Sequence, residues 1–200
     1  MTTAPFYNNG NRQLQDEFGS RPLADRLTKF TRHEFTDANR DFIASLPYFF
    51  LATADASGRP DCSFKGGAPG FVRVTGPAEL AFPDYDGNGM FKSLGNVLEN
   101  PQVGLLFIAM TDRPQRLRVN GTASIDRNDP LLSETVGAQL IVRVQAEAIF
   151  ANCPRYIPDL ENAQAARHAP LPGIETPDAE WKALDFASDV VPPKRDTFRG

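Results

Sequence analysis

Between Tyr48 and Phe150 the chain alternates short apolar runs with turn residues: "YFFLATA", "DCSFKGG", "FVRVT", "ELAFP", "VGLLFI", "QRLRVNGTASI" and "LIVRVQAEAIF", with breaks such as "DASGRP" between them. Runs of this length, bounded by Gly, Pro and Asp, predict strands. In "RLRVNGTASI", Leu117, Val119 and Gly121 fall on one face and Arg116, Arg118, Asn120 and Thr122 on the other, the alternation of a half-buried strand. Six or seven such strands with one intervening helix predict a small antiparallel barrel over residues 48–150. Residues 1–47 read as a helical segment. Leu23, Leu27 and Phe30 lie at helical spacing, and Thr36 is placed to cap a helix from Asn39 to Leu46. After residue 150 the chain turns proline-rich and loses strand pattern, which predicts an irregular tail (151–200) wrapped on the barrel or on a partner subunit. One domain spanning residues 1–200 is expected, mainly β (α+β).

The stretch "DYDGNGMFKSLGNVLENPQVGLLFI" places Gly87 and Gly89 directly before Lys92, Ser93 and a short helical pattern. Glycines in such a turn permit positive φ angles, and a helix start carries unpaired N–H groups. An ammonium and a hydroxyl added there make a phosphate cradle. Taken alone, the pair reads first as a solvated lysine and a capping serine.

Composition removes several function classes. With 21 basic and 25 acidic residues the formal net charge is -4, and the basic residues are scattered, so nucleic acid is not an expected partner. No run approaches the roughly 18 apolar residues that span a bilayer, and the N-terminus lacks a signal-peptide pattern, so a cytoplasmic location away from membranes is expected. Cys62 and Cys153 follow no metal or redox spacing and are expected to be buried thiols. No His/Cys/Asp cluster has ligand spacing, and no Ser-His-Asp or G-x-S-x-G pattern occurs, so no metal site and no catalytic side chain is assigned.

The ordered set "FFLATADASGRPDCSFKGG", "ELAFPDYDGNGMFKSLGNVLENPQVGLLFI" and "RLRVNGTASI" resembles the pyridoxamine 5'-phosphate oxidase-like family of flavin-binding split barrels, over about residues 40–158. The resemblance implies a split antiparallel barrel of six or seven strands, a homodimer, and flavin mononucleotide (FMN) or a deazaflavin coenzyme at the dimer interface. It implies an oxidoreductase that passes a hydride between a small organic substrate and the flavin, or a flavin-binding protein without turnover. Carried over residue by residue, Lys92 and Ser93 grip the phosphate, and Ser63, Phe64, Lys65 and Gly66 run along the flavin. Phe82, Pro83 and Asn88 line its edge, and Arg116, with Arg118 as its rival, faces the ring. The family's best-known member has an arginine where Ser63 stands, so Lys65 is expected to supply that charge. The substrate-gripping motif and ending of a true pyridoxamine phosphate oxidase are absent, so that substrate is not expected. Arg155 and Trp181 are further candidates for the pocket. The two histidines, His33 and His168, fall outside the expected barrel, which argues against an axial haem ligand.

Overall fold

The computed structural model describes residues 6–161 and 180–191. Its helices are α1 (Asn9–Glu17), α2 (Arg21–Thr28), α3 (Asp37–Ser45) and α4 (Lys92–Glu99); its strands are β1 (Tyr48–Ala54), β2 (Pro60–Gly66), β3 (Arg73–Val74), β4 (Glu79–Tyr85), β5 (Gln102–Ala109), β6 (Gln115–Asp126) and β7 (Ala138–Ala151). The chain divides into two units, Arg32–Pro154 and Met1–Thr31 with Arg155–Gly200. All seven strands and α3 therefore belong to one unit, while α1 and α2 group with the C-terminal residues. The tail expected to wrap the barrel lies largely outside the described residues.

The strands form one antiparallel sheet in the order β2-β1-β5-β6-β7-β4-β3. β2 and β4 hold the first and sixth places, which on a flat sheet would put them roughly 24 Å apart at about 4.8 Å per strand. Yet Lys65 Nζ of β2 lies 3.1 Å from Asp84 Oδ1 of β4, and the Phe49 and Phe82 rings of β1 and β4 are 4.9 Å apart. The sheet has rolled up until β2 and β4 meet through side chains, with no backbone pairing between them. This is the split barrel that the alternation and the resemblance predict.

The rolled sheet encloses Phe49, Phe82 and Phe107, each at most 1% exposed. Ile43 of α3 and Leu94 and Val97 of α4 join the same core. α3 starts where its capping box allows: Thr36 Oγ1 accepts from Asn39 N–H at 3.2 Å, and Asn39 Oδ1 accepts from Thr36 N–H at 3.1 Å. Its Arg40 guanidinium donates to the Val74 and Gly76 carbonyls at 3.2 and 3.1 Å, tying the helix to the β3 edge.

Between β6 and β7 the register slips: Asn120 faces Ala148 but Gly121 faces Ala146, so Glu147 is an extra, bulged residue. Its carbonyl, taken out of the ladder, accepts from His33 Nδ1 at 2.6 Å, which fixes the proton on that ring nitrogen. His33 thus lies against β7, closer to the barrel than its sequence position suggests; His168 is outside the described residues. The bulge also brings the β7 backbone over Gly121, where a Cβ would sit 2.0 Å from the Gln145 carbonyl oxygen.

In the other unit, α1 and α2 are joined by ion pairs of Arg12 with Asp25 and Arg21 with Asp16, and Arg26 pairs with Asp189. No described helix is long and apolar enough to cross a membrane.

Candidate functional site

α4 begins at Lys92, directly after two residues with left-handed backbone: Gly89 at φ 71° and Phe91 at φ 48°. Gly87, expected to share that role, keeps an ordinary φ; the second positive angle falls on a phenylalanine, where L side chains are strained. Asn88 Oδ1 accepts from Met90 N–H at 3.0 Å and so shapes this turn from within. Phe91 occupies the capping position of α4 and contributes no side-chain hydrogen bond, in contrast to Asn8 and Thr36 at α1 and α3. The first-turn amides of α4 are left without a side-chain cap, beside the exposed Lys92.

Ser93 is 6% exposed. Its hydroxyl lies 2.7 Å from Asp61 Oδ2 and 2.9 Å from Ser63 Oγ. One hydroxyl proton serves one acceptor, so Ser93 donates to the carboxylate and receives from Ser63. Three groups of β2 and α4 are thereby locked together, and a few residues on Asn96 Nδ2 donates to Thr53 Oγ1 of β1 at 3.0 Å. Lys65 shares the inward face of β2 with Asp61 and Ser63, but its ammonium is taken by Asp84. Of the cations expected at a phosphate, only Lys92 is exposed and without such an ion pair.

Arg116 does not join this cluster. It stands on the outer face of β6, where Leu117 and Val119 turn to the core, whereas Ser63 is in register with the core-facing Leu51, Leu105 and Val119. Arg116 instead lines a cavity of about 270 Å³ between α3 and the ends of β6 and β7. Burial holds its guanidinium pKa below the usual arginine value, and the charge of Arg118 adds to this, with Cys153 acting in the opposite direction.

A family model described as pyridoxamine 5'-phosphate oxidase matches residues 35–170, more than half of the chain. The chain belongs to the pyridoxamine 5'-phosphate oxidase family. Among solved structures, a putative pyridoxamine 5'-phosphate oxidase from Lactobacillus delbrueckii is 22% identical with TM-score 0.48, over 60% of this chain and 96% of that one. An FMN-binding protein from Syntrophomonas wolfei is 14% identical with TM-score 0.46, over 71% of this chain and 96% of that one. HutZ, a heme storage protein of Vibrio cholerae, is 21% identical with TM-score 0.44, over 59% of this chain and 94% of that one. No curated protein matches the chain.

In this member of the pyridoxamine 5'-phosphate oxidase family the other expected residues scatter over several environments. Phe82 is a core residue at 1% exposure, its ring spent on Phe49. Pro83 is buried on the opposite face of β4, against Leu131 of the 3-10 turn Pro130–Glu134 and Thr135, which ends that turn. Phe64 points away from Ser63 and Lys65, is 63% exposed, and stacks on Tyr48 at 5.5 Å. Gly66 sits tightly at the end of β2, where a Cβ would come within 2.8 Å of the Phe64 ring. Cys62 shares the outward face of β2 and is exposed, which corrects the expectation of a buried thiol. Arg155 lies over the Tyr156 ring at 5.3 Å, and Trp181 stacks on Phe186 at 6.3 Å, all within the second unit. Sequence reading passed over Asp61, although Asp61, Ser63 and Lys65 at i, i+2 and i+4 mark one strand face, and it passed over Asn152 of the cavity. Among the described residues no group of three or more His, Cys, Asp or Glu is arranged to hold a metal.

Proposed function

We propose that this chain is a homodimeric, FMN-dependent oxidoreductase acting on a small organic molecule other than pyridoxamine 5'-phosphate. The observation that carries the reading is the start of α4: uncapped first-turn amides beside an exposed lysine, on a turn held open by Gly89 and Phe91. That donor set fits a phosphate, since backbone N–H groups and the positive helix end favour an anion and Lys92 adds a full charge. Lys92 and the amides would hold the phosphate. Ser93 would act by fixing α4 to β2 through Asp61 and Ser63, because its hydroxyl is already engaged. Lys65, paired with Asp84, would set the width of the gap between β2 and β4. When bound, the flavin supplies the hydride chemistry itself, and the protein's part is to bind, orient and exclude water.

Purified protein is expected to quench FMN fluorescence saturably. Lys92→Ala is expected to weaken binding roughly 5- to 100-fold, the loss of one charge-assisted contact; unchanged affinity would remove Lys92 from the site. Reduction of the bound flavin by NADH or NADPH separates an oxidoreductase from a flavin carrier. Mass spectrometry of the ligand released from native protein separates FMN from a deazaflavin coenzyme.

The homodimer is supported by the outward face of β2, β1 and β5. Phe64, Phe50 and Leu106 stand side by side in register there, with the small residues Ala52 and Gly104 one step along. A partly exposed apolar face of this kind, with Phe64 63% exposed, suits a second copy of the same surface. Gel filtration is expected at twice the 22.0 kDa chain mass. Phe64→Glu, which places a charge on that face, is expected to shift the protein to the monomer; a wild-type mass near that of one chain would exclude the dimer.

A further inference from the structure

Two buried polar atoms without hydrogen-bond partners among the described residues, Arg116 Nε and Asn152 Oδ1, belong to residues that line the same cavity. Arg116 starts β6 and Asn152 directly follows the end of β7, and the register pair Leu117 and Ala151 holds them close at that end of the barrel. Buried donors and acceptors are almost always paired, so two orphans at one cavity mark a place where a ligand group completes the bonding. They are also complementary: Nε–H is a cationic donor and the amide oxygen is an acceptor. The remaining wall is largely apolar, with Phe42, Leu117 and Ala38; of its two other polar residues, Asn39 has its Oδ1 committed to Thr36 N–H and Gln115 stands at the exposed start of β6. The cavity of about 270 Å³ holds roughly nine water volumes at about 30 Å³ each. That is room for a small molecule of several carbons.

We propose that this cavity binds a small organic acid with a hydroxyl or amino donor next to its carboxylate, the carboxylate on Arg116 Nε–H and the donor on Asn152 Oδ1. A carboxylate placed there also supplies the counter-charge that Arg116, depressed by burial and by Arg118, lacks. The site uses none of the residues that would hold the cofactor phosphate, but it takes for the acid the Arg116 that the resemblance sets at the flavin ring.

The full chain is titrated calorimetrically with lactate, with propionate, which lacks the donor, and with lactamide, which lacks the charge. Lactate is expected to bind saturably at one site per chain, and the other two at least tenfold more weakly. Asn152→Ala is expected to reduce lactate to the affinity of propionate and to leave propionate unchanged. Arg116→Met is expected to abolish binding of both acids, while Arg118→Met, on the same strand face, changes lactate affinity less than threefold. Should Arg116→Met fail to fold by circular dichroism, the split between lactate and propionate in Asn152→Ala decides alone. Absence of saturable lactate binding, equal binding of the three probes, or an Arg118→Met loss as large as that of Arg116→Met overturns the proposal.

Discussion

Replacing Gly121 with alanine is expected to unfold the barrel at room temperature. The added methyl would stand 2.0 Å from the Gln145 carbonyl oxygen, 2.9 Å from its carbon and 3.0 Å from Ala146 Cα, all backbone atoms of the neighbouring strand. A flexible side chain would swing aside; a strand held by its own ladder cannot. Relief requires parting β6 from β7 at the bulge, and these strands form the longest pairing in the sheet. Overpacking of ordinary side chains costs about 1–3 kcal/mol. A clash with paired backbone is expected to exceed that, approaching the ~5–15 kcal/mol that holds a whole domain. Gly87→Ala is the control: nothing lies within 4 Å of its Cβ and its φ is ordinary, so the substitution is expected to be neutral or slightly stabilising. Thermal melts by circular dichroism compare the two. A Gly121→Ala protein melting within a few degrees of the parent would show that the two strands do not meet in this register.

The second large effect is expected at Arg143. Its Nε and Nη2 grip both oxygens of Asp129 at 2.5 and 3.1 Å, and its Nη1 reaches Glu79 at 2.7 Å. Asp129 is only 2% exposed and also accepts from Leu131 N–H at 2.9 Å. Arg143→Met therefore strands a buried carboxylate, a change that costs about 3–5 kcal/mol in comparable pairs. At roughly 2–4 °C per kcal/mol for a chain of this size, the melting temperature should drop by about 6–20 °C. Changing Asp129 to alanine as well should recover part of the loss, because no unpaired charge remains. The pH dependence has a defined sign. The Arg143 guanidinium holds the Asp129 carboxyl below the usual carboxylate range. Its contribution is therefore full above the unfolded carboxylate pKa of about 3.9 and is lost as pH falls through the lower folded value. In Arg143→Met that depression is gone and burial pushes the Asp129 carboxyl above its unfolded value, so the variant takes up a proton and recovers stability at a higher pH than the parent loses it, and the gap between them should narrow between neutral pH and pH 4. A gap that stays constant from neutral pH to pH 4 would argue against a stranded charge.

The strands were legible because each short apolar run ends in a turn residue with its own reason to be there. The β1–β2 connection shows this: Asp55 accepts from Ser57 and Arg59 N–H at 2.9 and 3.0 Å, and Gly58 takes φ 80°. The start of α4 was legible too, since Lys92 opens the helix as its pattern requires. What escaped depends on how distant segments meet. The β7 bulge leaves only a faint trace, a slip of buried positions from Val142, Val144 and Ala146 to Ile149. Nothing in "GMFKS" announces that Phe91, rather than Gly87, takes the left-handed angle. Lys65 looked like a free cation because its partner Asp84 is nineteen residues away and is reached only when the sheet curls. Arg116 was singled out, but its cavity also needs Asn152, and that pairing follows from the register of β6 on β7.

β2 is a sheet end seven residues long, with a row of backbone groups that no strand among the described residues covers. Such an end is a template on which another chain can stack into fibrils. Pro60 opens the strand, and Asp61 and Lys65 turn their charges inward, so an incoming strand would have to bury or displace both. The pair that joins Lys65 to Asp84 thus has a second consequence beyond spanning the gap: it keeps a lysine anchored on the inner side of an edge that would otherwise invite self-association in a crowded cell.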